Sequence, residues 1–179
     1  MNKFVLTILL AFTSQGAMAE VLSCTPNQST YNCLVCNCYF ETRGESQDGK
    51  VAVAKTVLSR ITLPEFPNTV CRVVFQSSQF SWTSDSNSNR LNATTDDDKE
   101  ALYDCKKATE TALHEGANGL IYFYNPHKAT PRWARKTTSC GRVGQHAFSV
   151  PKGENCPKYL GSNPVHSQKT KSSNGGVAK

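Results

Sequence analysis

The stretch Tyr39-Phe40-Glu41-Thr42-Arg43-Gly44-Glu45 sets two carboxylates four positions apart, directly after two aromatic rings. Glu41 falls near the end of a largely apolar helical segment. A carboxyl there can be stripped of water, keep its proton to higher pH and serve as a donor near neutrality. Glycosidic oxygens need such a donor, because a sugar alkoxide is a poor leaving group. Residue types alone make this a weak signal, since a Glu at a helix end is usually a solvated acid or an ion-pair partner, here of Arg43. Other chemistries are excluded. The chain has no G-x-S-x-G elbow, P-loop, dinucleotide fingerprint or H-E-x-x-H. A thiol nucleophile would compete with seven other cysteines for oxidation. Cys33-x-x-Cys36-x-Cys38 lacks a second CxxC or an HxxxH to complete four zinc ligands, so neither a metal nor another cofactor is expected.

The elements that must position Glu41 follow from periodicity and punctuation. Thr30 is the expected cap of a helix over 31–42, with Tyr31, Leu34, Val35 and Cys38 on its apolar side and Gly44 as its stop. Ser46 caps a second helix, 47–61, with Val51, Ala54, Leu58 and Ile61 as its buried stripe, and Pro64 and Pro67 end it. Thr69 opens a short helix through Val70, Val73, Val74 and Phe75. The Ser- and Asn-rich stretch 83–95 reads as a long surface loop. Asp96-Asp97-Asp98 suits the positive end of a third long helix, running through Leu102, Cys105, Ala108 and Ala112 to Gly116. Leu120 to Tyr124 is strand-like and Asn125-Pro126 ends it. A basic loop follows (Lys128, Arg132, Arg135, Lys136, Arg142), and then a second short strand over 145–150.

Lys3, the apolar run Phe4–Phe12 and Ala17-Met18-Ala19 have the charge, length and small-x-small ending of a secretory signal peptide. The expected organisation is therefore a signal at 1–19, a catalytic domain at 20–151 and a polar, basic tail at 152–179 that is at least partly disordered. The product would be exported, to the periplasm or the extracellular space. Export reads the eight cysteines (Cys24, Cys33, Cys36, Cys38, Cys71, Cys105, Cys140 and Cys156) as disulfides, with the pairing open. Cys33 and Cys36 share a helix face, so each is expected to reach a distant partner.

The 179 residues suit one domain. Outside the signal, no apolar run approaches the ~20 residues of a membrane span. The formal charge of +6 is too mild for a histone-like nucleic-acid binder, and most of it lies in the tail, since residues 20–151 hold only +1.

The motif around Glu41, followed by Gly49-Lys50-Val51-Ala52-Val53-Ala54 and Val57-Leu58-Ser59-Arg60, resembles the signature of the SleB-type cell-wall hydrolases, the spore-cortex-lytic enzyme family. The likeness continues through Pro67-Asn68-Thr69-Val70-Cys71, Gln79-Phe80-Ser81-Trp82 and Phe123-Tyr124-Asn125-Pro126. It ends with Trp133 and Val143-Gly144-Gln145-His146-Ala147-Phe148. Thr42, Ser59 and Gln145 stand where the family commonly has Ala, Asn and Asn, and four or more of the cysteines go beyond its usual pattern.

The resemblance implies a mainly helical α+β, lysozyme-like fold with a small β-sheet, here stapled by disulfides. It also implies cleavage of the glycan strands of peptidoglycan with Glu41 as the catalytic acid. Glu45 and Glu41 would share one face of a continuous helix, and sequence neighbours rarely flank a substrate. Glu45 is thus read as a supporting partner of Arg43 or Arg60, with a catalytic part as the alternative. A single carboxyl suits a lytic transglycosylase better than a two-carboxylate hydrolase. Gln79 and Ser81 are candidates to bind sugar or N-acetyl groups, with Phe80 and Trp82 as stacking walls. Tyr124, Asn125, Trp133 and His146 complete the expected substrate site, each with plain packing as its other reading. The expected partner is peptidoglycan, met by a monomer, with no nucleic acid and no stable membrane span. The alternatives are a hydrolytic muramidase, a non-catalytic exported peptidoglycan-binding module and, more remotely, a secreted cationic nuclease.

Overall fold

A 13-residue helix, α1 (Thr30–Thr42), forms the centre of the fold in the computed structural model, which describes residues 20–85 and 89–158. The expected signal peptide and residues 159–179 of the expected tail lie outside the described residues. Ser29 caps α1 by accepting a hydrogen bond from the Asn32 N–H at 3.1 Å, one residue before the expected Thr30. Cys33 through Tyr39 are buried without interruption, as befits a helix enclosed on all sides.

Three of the four disulfides leave from this helix: Cys24–Cys36, Cys33–Cys71 and Cys38–Cys105. Cys33 and Cys36 therefore reach separate, distant partners, as expected. Their loops, 12 to 67 residues apart in sequence, each restrict the unfolded chain by roughly 3–4 kcal/mol. The helix end that carries Glu41 is thereby fixed to the rest of the domain. The fourth bond, Cys140–Cys156, ties the chain after residue 151 back to the sheet.

Gly44, at φ +86°, turns the chain into α2 (Gln47–Arg60), capped by Ser46 as expected. The expected stripe on α2 is too narrow. Val51 and Ile61 are only half-buried, whereas Val53 and Val57 are fully enclosed. The reason is that α2 is packed on two sides. Ala54, Val57 and Leu58 join the helical core, while Ala52 and Val53 meet Leu120, Phe148 and Val150 of a sheet. The short α3 (Val70–Val74) follows Thr69, which makes no capping bond through its side chain. The long α4 (Asp96–Glu115) starts on a reciprocal capping box between Thr95 and Asp98, a tighter start than three acids alone would make.

Two small antiparallel sheets complete the α+β fold. β1 (Glu20–Ser23) pairs with β2 (Arg90–Ala93), with Leu22 opposite Leu91. In the second sheet β5 (His146–Pro151) lies between β3 (Tyr122–Tyr124) and β4 (Thr137–Val143). Two expected loops are thus corrected. Residues 83–95 contain β2, whose alternate residues Leu91 and Ala93 are fully buried. The basic loop contains a 3-10 turn (Arg132–Lys136) and then β4. In both places the alternation runs for few residues among polar neighbours and becomes regular only through its pairing strand. Among the described residues no helix is long and apolar enough to cross a membrane.

Candidate active site

A cleft of about 720 Å³ opens where the end of α1, the 78–81 segment and β3 meet. Glu41, in the last turn of α1, lines it together with Gln79, Phe80 and Ser81 on one side and Tyr124, Asn125 and Trp133 on another. His146 closes the floor. Glu41 is the only carboxylic acid among the lining residues, and it accepts no hydrogen bond from any described residue. Burial pushes its pKa from the ordinary 4.5 up to about 7, against the opposing pull of Lys128 and Arg60.

Arg60 is a site residue that sequence reasoning considered only as a partner for Glu45. It sits at the end of α2, buried, with its guanidinium 5.6 Å from the Phe80 ring centroid and 5.5 Å from that of Phe66. Its Nε donates to the Ile121 carbonyl at 2.9 Å, and its Nη1 has no partner among the described residues. Burial lowers its pKa to about 10. The signal was available: Arg60 follows the buried Val57 and Leu58 at the end of α2, and a charge carried to that face has to point at something. Tyr122 and Lys128 also line the cleft without having been singled out for it.

The aromatic wall is a group of three rings. Trp133 lies 5.6 Å from Tyr122 and, edge-on, 5.6 Å from Tyr124. At 39% exposure it is open to solvent on one face. Asn125, where β3 ends, accepts from the His127 N–H at 2.9 Å, which fixes the turn that carries Lys128.

Trp82 is not part of this wall, contrary to expectation. It is 5% exposed, stacks on Phe40 at 4.7 Å and donates from Nε1 to Asn37 Oδ1 at 3.2 Å. Its bulk is taken up by the helical core, where it braces the residue before Glu41. Phe80 is likewise nearly enclosed, but one edge reaches the cleft.

Arg43 and Glu45 also lie off the cleft, and neither pairs as expected. Arg43 forms an ion pair with Asp98 and donates to the Tyr39 hydroxyl at 3.1 Å. Glu45 turns to the β4–β5 hairpin instead. Its Oε2 accepts from the Gln145 N–H at 3.0 Å, and its Oε1 lies 3.1 Å from His146 Nδ1, out of line with the ring N–H. Burial keeps the His146 pKa below its ordinary value despite this neighbour. The ring packs edge-on against Phe123 at 5.3 Å.

Sequence and structure together place the chain among the cell-wall hydrolases: the Cell Wall Hydrolase family profile matches residues 44–149, and the chain belongs to that family. It is 32% identical over 112 residues to a spore cortex-lytic enzyme of Bacillus cereus and 30% identical over 116 residues to that of Bacillus subtilis. Each alignment takes in 62% of this chain but only 40% and 34% of those proteins, so the chain spans well under half the length of these relatives. Two solved catalytic domains share the fold. The germination-specific lytic transglycosylase SleB of Bacillus anthracis superposes with TM-score 0.54 at 27% identity, over 69% of this chain and 97% of that one. The Bacillus cereus SleB domain gives 0.53 at 26%, over 71% and 95%.

Proposed function

We propose that this protein is an exported lytic transglycosylase that cleaves peptidoglycan glycan strands between muramoyl and glucosaminyl residues, with Glu41 as its acid and base. The observation that carries the reading is the single carboxyl in the cleft, poised by burial at about pH 7. A hydrolase using two carboxylates needs a second one across the sugar, about 5–5.5 Å away for retention or 6.5–9.5 Å for inversion. Glu45, the nearest acid in sequence, is engaged on the hairpin behind His146. The structural neighbour from Bacillus anthracis is itself a lytic transglycosylase, which supports the same choice.

In the first step the protonated Glu41 donates to the glycosidic oxygen as the bond from C1 breaks. In the second, the Glu41 carboxylate takes the proton of the muramoyl C6 hydroxyl, whose oxygen attacks C1. The product is a 1,6-anhydromuramoyl end, no water is consumed, and Glu41 recovers its proton. Arg60 and Lys128 suit this cycle because their charge keeps the carboxylate accessible in a site where burial alone would hold it protonated. The Tyr122–Tyr124–Trp133 rings offer a stacking surface for sugars, and Gln79, Ser81 and Asn125 offer hydrogen bonds. His146 and Phe80 shape the floor. Residues 1–19 serve as the export signal ahead of a catalytic domain at 20–151, and four disulfides fit an oxidising destination.

Mass spectrometry of digested sacculi tests the reading. Anhydromuropeptides are expected from the wild type and none from Glu41→Gln. Reducing muramic ends alone would make the protein a muramidase. Binding without release of fragments would make it a non-catalytic module, and full activity of Glu41→Gln would remove Glu41 from the chemistry.

A further inference from the structure

Glu45 and His146 are a buried pair that the catalytic cycle above leaves without a chemical task. They meet across 3.1 Å between Oε1 and the ring Nδ1. The carboxylate is fixed from its other side, where Oε2 accepts from the Gln145 N–H at 3.0 Å and occupies the space a Cβ at Gly144 would need. Burial holds the His146 pKa below its ordinary 6.5 despite Glu45, and the charge of Lys128 pulls the same way. At neutral pH the ring is therefore neutral and carries one proton. The group that faces each ring nitrogen decides which of the two holds it. A carboxylate oxygen and a bare ring nitrogen repel each other at 3.1 Å, so the proton sits on Nδ1, even though the contact is out of line. Nε2 is left as a bare acceptor. No described residue bonds it, it is not closed off from solvent as Nδ1 is, and the ring lines the cleft that holds Glu41.

A sugar hydroxyl donates or accepts as needed, so either tautomer of the ring would hold it. An amide N–H only donates, and a ring with its proton turned to the cleft would oppose it with a second N–H. A fixed Nε2 acceptor therefore matters most toward an amide. We propose that Glu45 is a positioning residue that keeps His146 an Nε2 acceptor, and that Nε2 binds an amide N–H of the substrate. Peptidoglycan carries that group in the acetamido substituents of its sugars and in its peptide stems. The proposal rests on the lytic reading above and adds to it a second substrate contact.

Glu45→Gln is the decisive variant. Its amide keeps an oxygen for the Gln145 N–H and turns an NH2 group to Nδ1, which drives the ring proton to Nε2 at nearly constant shape. Nitrogen-15 NMR of the imidazole, assigned with His146→Gln, should find the proton on Nδ1 in wild type and on Nε2 in Glu45→Gln. With Tm nearly unchanged, kcat/KM on sacculi should fall about tenfold or more. His146→Gln carries a carbonyl acceptor that no tautomer governs, so adding Glu45→Gln to it should cost about twofold or less. Strands stripped of stems by an N-acetylmuramoyl-L-alanine amidase keep only the acetamido N–H. A penalty that persists on them assigns the contact to the sugar, and one that disappears assigns it to the stem. A wild-type proton on Nε2, or a flipped tautomer with unchanged kcat/KM, would overturn the proposal. Failure of the lytic reading has a different signature, with no fragments released by wild type. Co-sedimentation with intact sacculi then decides: weaker pelleting of Glu45→Gln than of wild type supports the contact, and equal pelleting refutes it.

Discussion

Replacing Glu41 by Gln should make the protein more stable above neutral pH and leave the pH dependence of its stability nearly unchanged in acid. A carboxyl whose folded pKa lies above its unfolded one holds its proton more tightly when folded. Its stabilising contribution is fully present below the unfolded value and is lost as pH rises through the folded value. For Glu41 these are 4.5 and about 7, with burial as the main cause. At about 1.4 kcal/mol per pH unit, wild type should lose about 3 kcal/mol relative to Glu41→Gln over that window and nothing more beyond it. Arg60, with its pKa at about 10, stays charged throughout and so shifts no protons of its own. Denaturant unfolding with the disulfides intact, run from about pH 4 to about pH 8 and followed by tryptophan fluorescence, reads the difference directly. The fixed offset between the two proteins carries no information; the change of that offset with pH does. Parallel stability curves across the window would mean that Glu41 is an ordinary solvated carboxylate, and the acid role argued from its burial would fall with it. The activity of the wild type should decline through the same pH region as the proton donor is lost.

The two tryptophans should part company. Trp133→Ala should raise KM severalfold with little change in Tm, because the ring is 39% exposed and stands in the aromatic wall; Trp82→Ala should instead cost about 3–5 kcal/mol in unfolding experiments, as expected for an enclosed ring. Gly144→Ala should destabilise by at least about 2 kcal/mol, since φ is +57° and a Cβ would fall inside contact distance of Glu45 Oε2; a Tm equal to wild type would refute the tight hairpin contact. Removing the last disulfide as Cys140→Ser/Cys156→Ser should cost roughly 3 kcal/mol for its 16-residue separation. It should also speed proteolysis after residue 151 while sparing the α1 disulfides, which peptide mapping would check.

What was legible in the sequence was whatever announces itself locally. Ser46 caps α2 where its position before Gln47 suggests, Gly44 ends the turn from α1, and the run from Asp96 to Glu115 is one helix. The motif blocks scattered from Glu41 to His146 also converge: Glu41 and seven of the eight residues expected with it line one cleft. What could not be read depends on partners far along the chain. Arg90-Leu91-Asn92-Ala93 is four residues with two apolar ones, and it is a strand because Leu22 lies opposite Leu91. Trp82 looks like a cleft residue by its neighbours Gln79 and Ser81, yet the ring is claimed by Phe40 and Asn37, about forty positions earlier. The pairing of Glu45 was missed for the same reason, since its donor is 100 residues away.

The separation of the two glutamates explains why four residues of sequence can hold such unlike acids. On an unbroken helix they would share one face. The helix stops at Thr42, and Gly44, at φ +86°, sends Glu45 to the other side of the turn. Glu41 is left in the cleft with Phe40 and Phe80, with no hydrogen bond from any described residue, so burial outweighs the opposing pull of Lys128 and Arg60 and raises its pKa. Glu45 meets the opposite condition: a backbone N–H donates to its Oε2, an imidazole nitrogen stands 3.1 Å from its Oε1, and the space at Gly144 is small enough that its carboxylate fits only against a residue without a side chain. Its contacts hold the β4–β5 turn, and with it His146, against the corner between α1 and α2. One carboxyl of the motif thus secures the floor of the cleft while the other remains unbonded at its surface, and environment rather than residue type divides them.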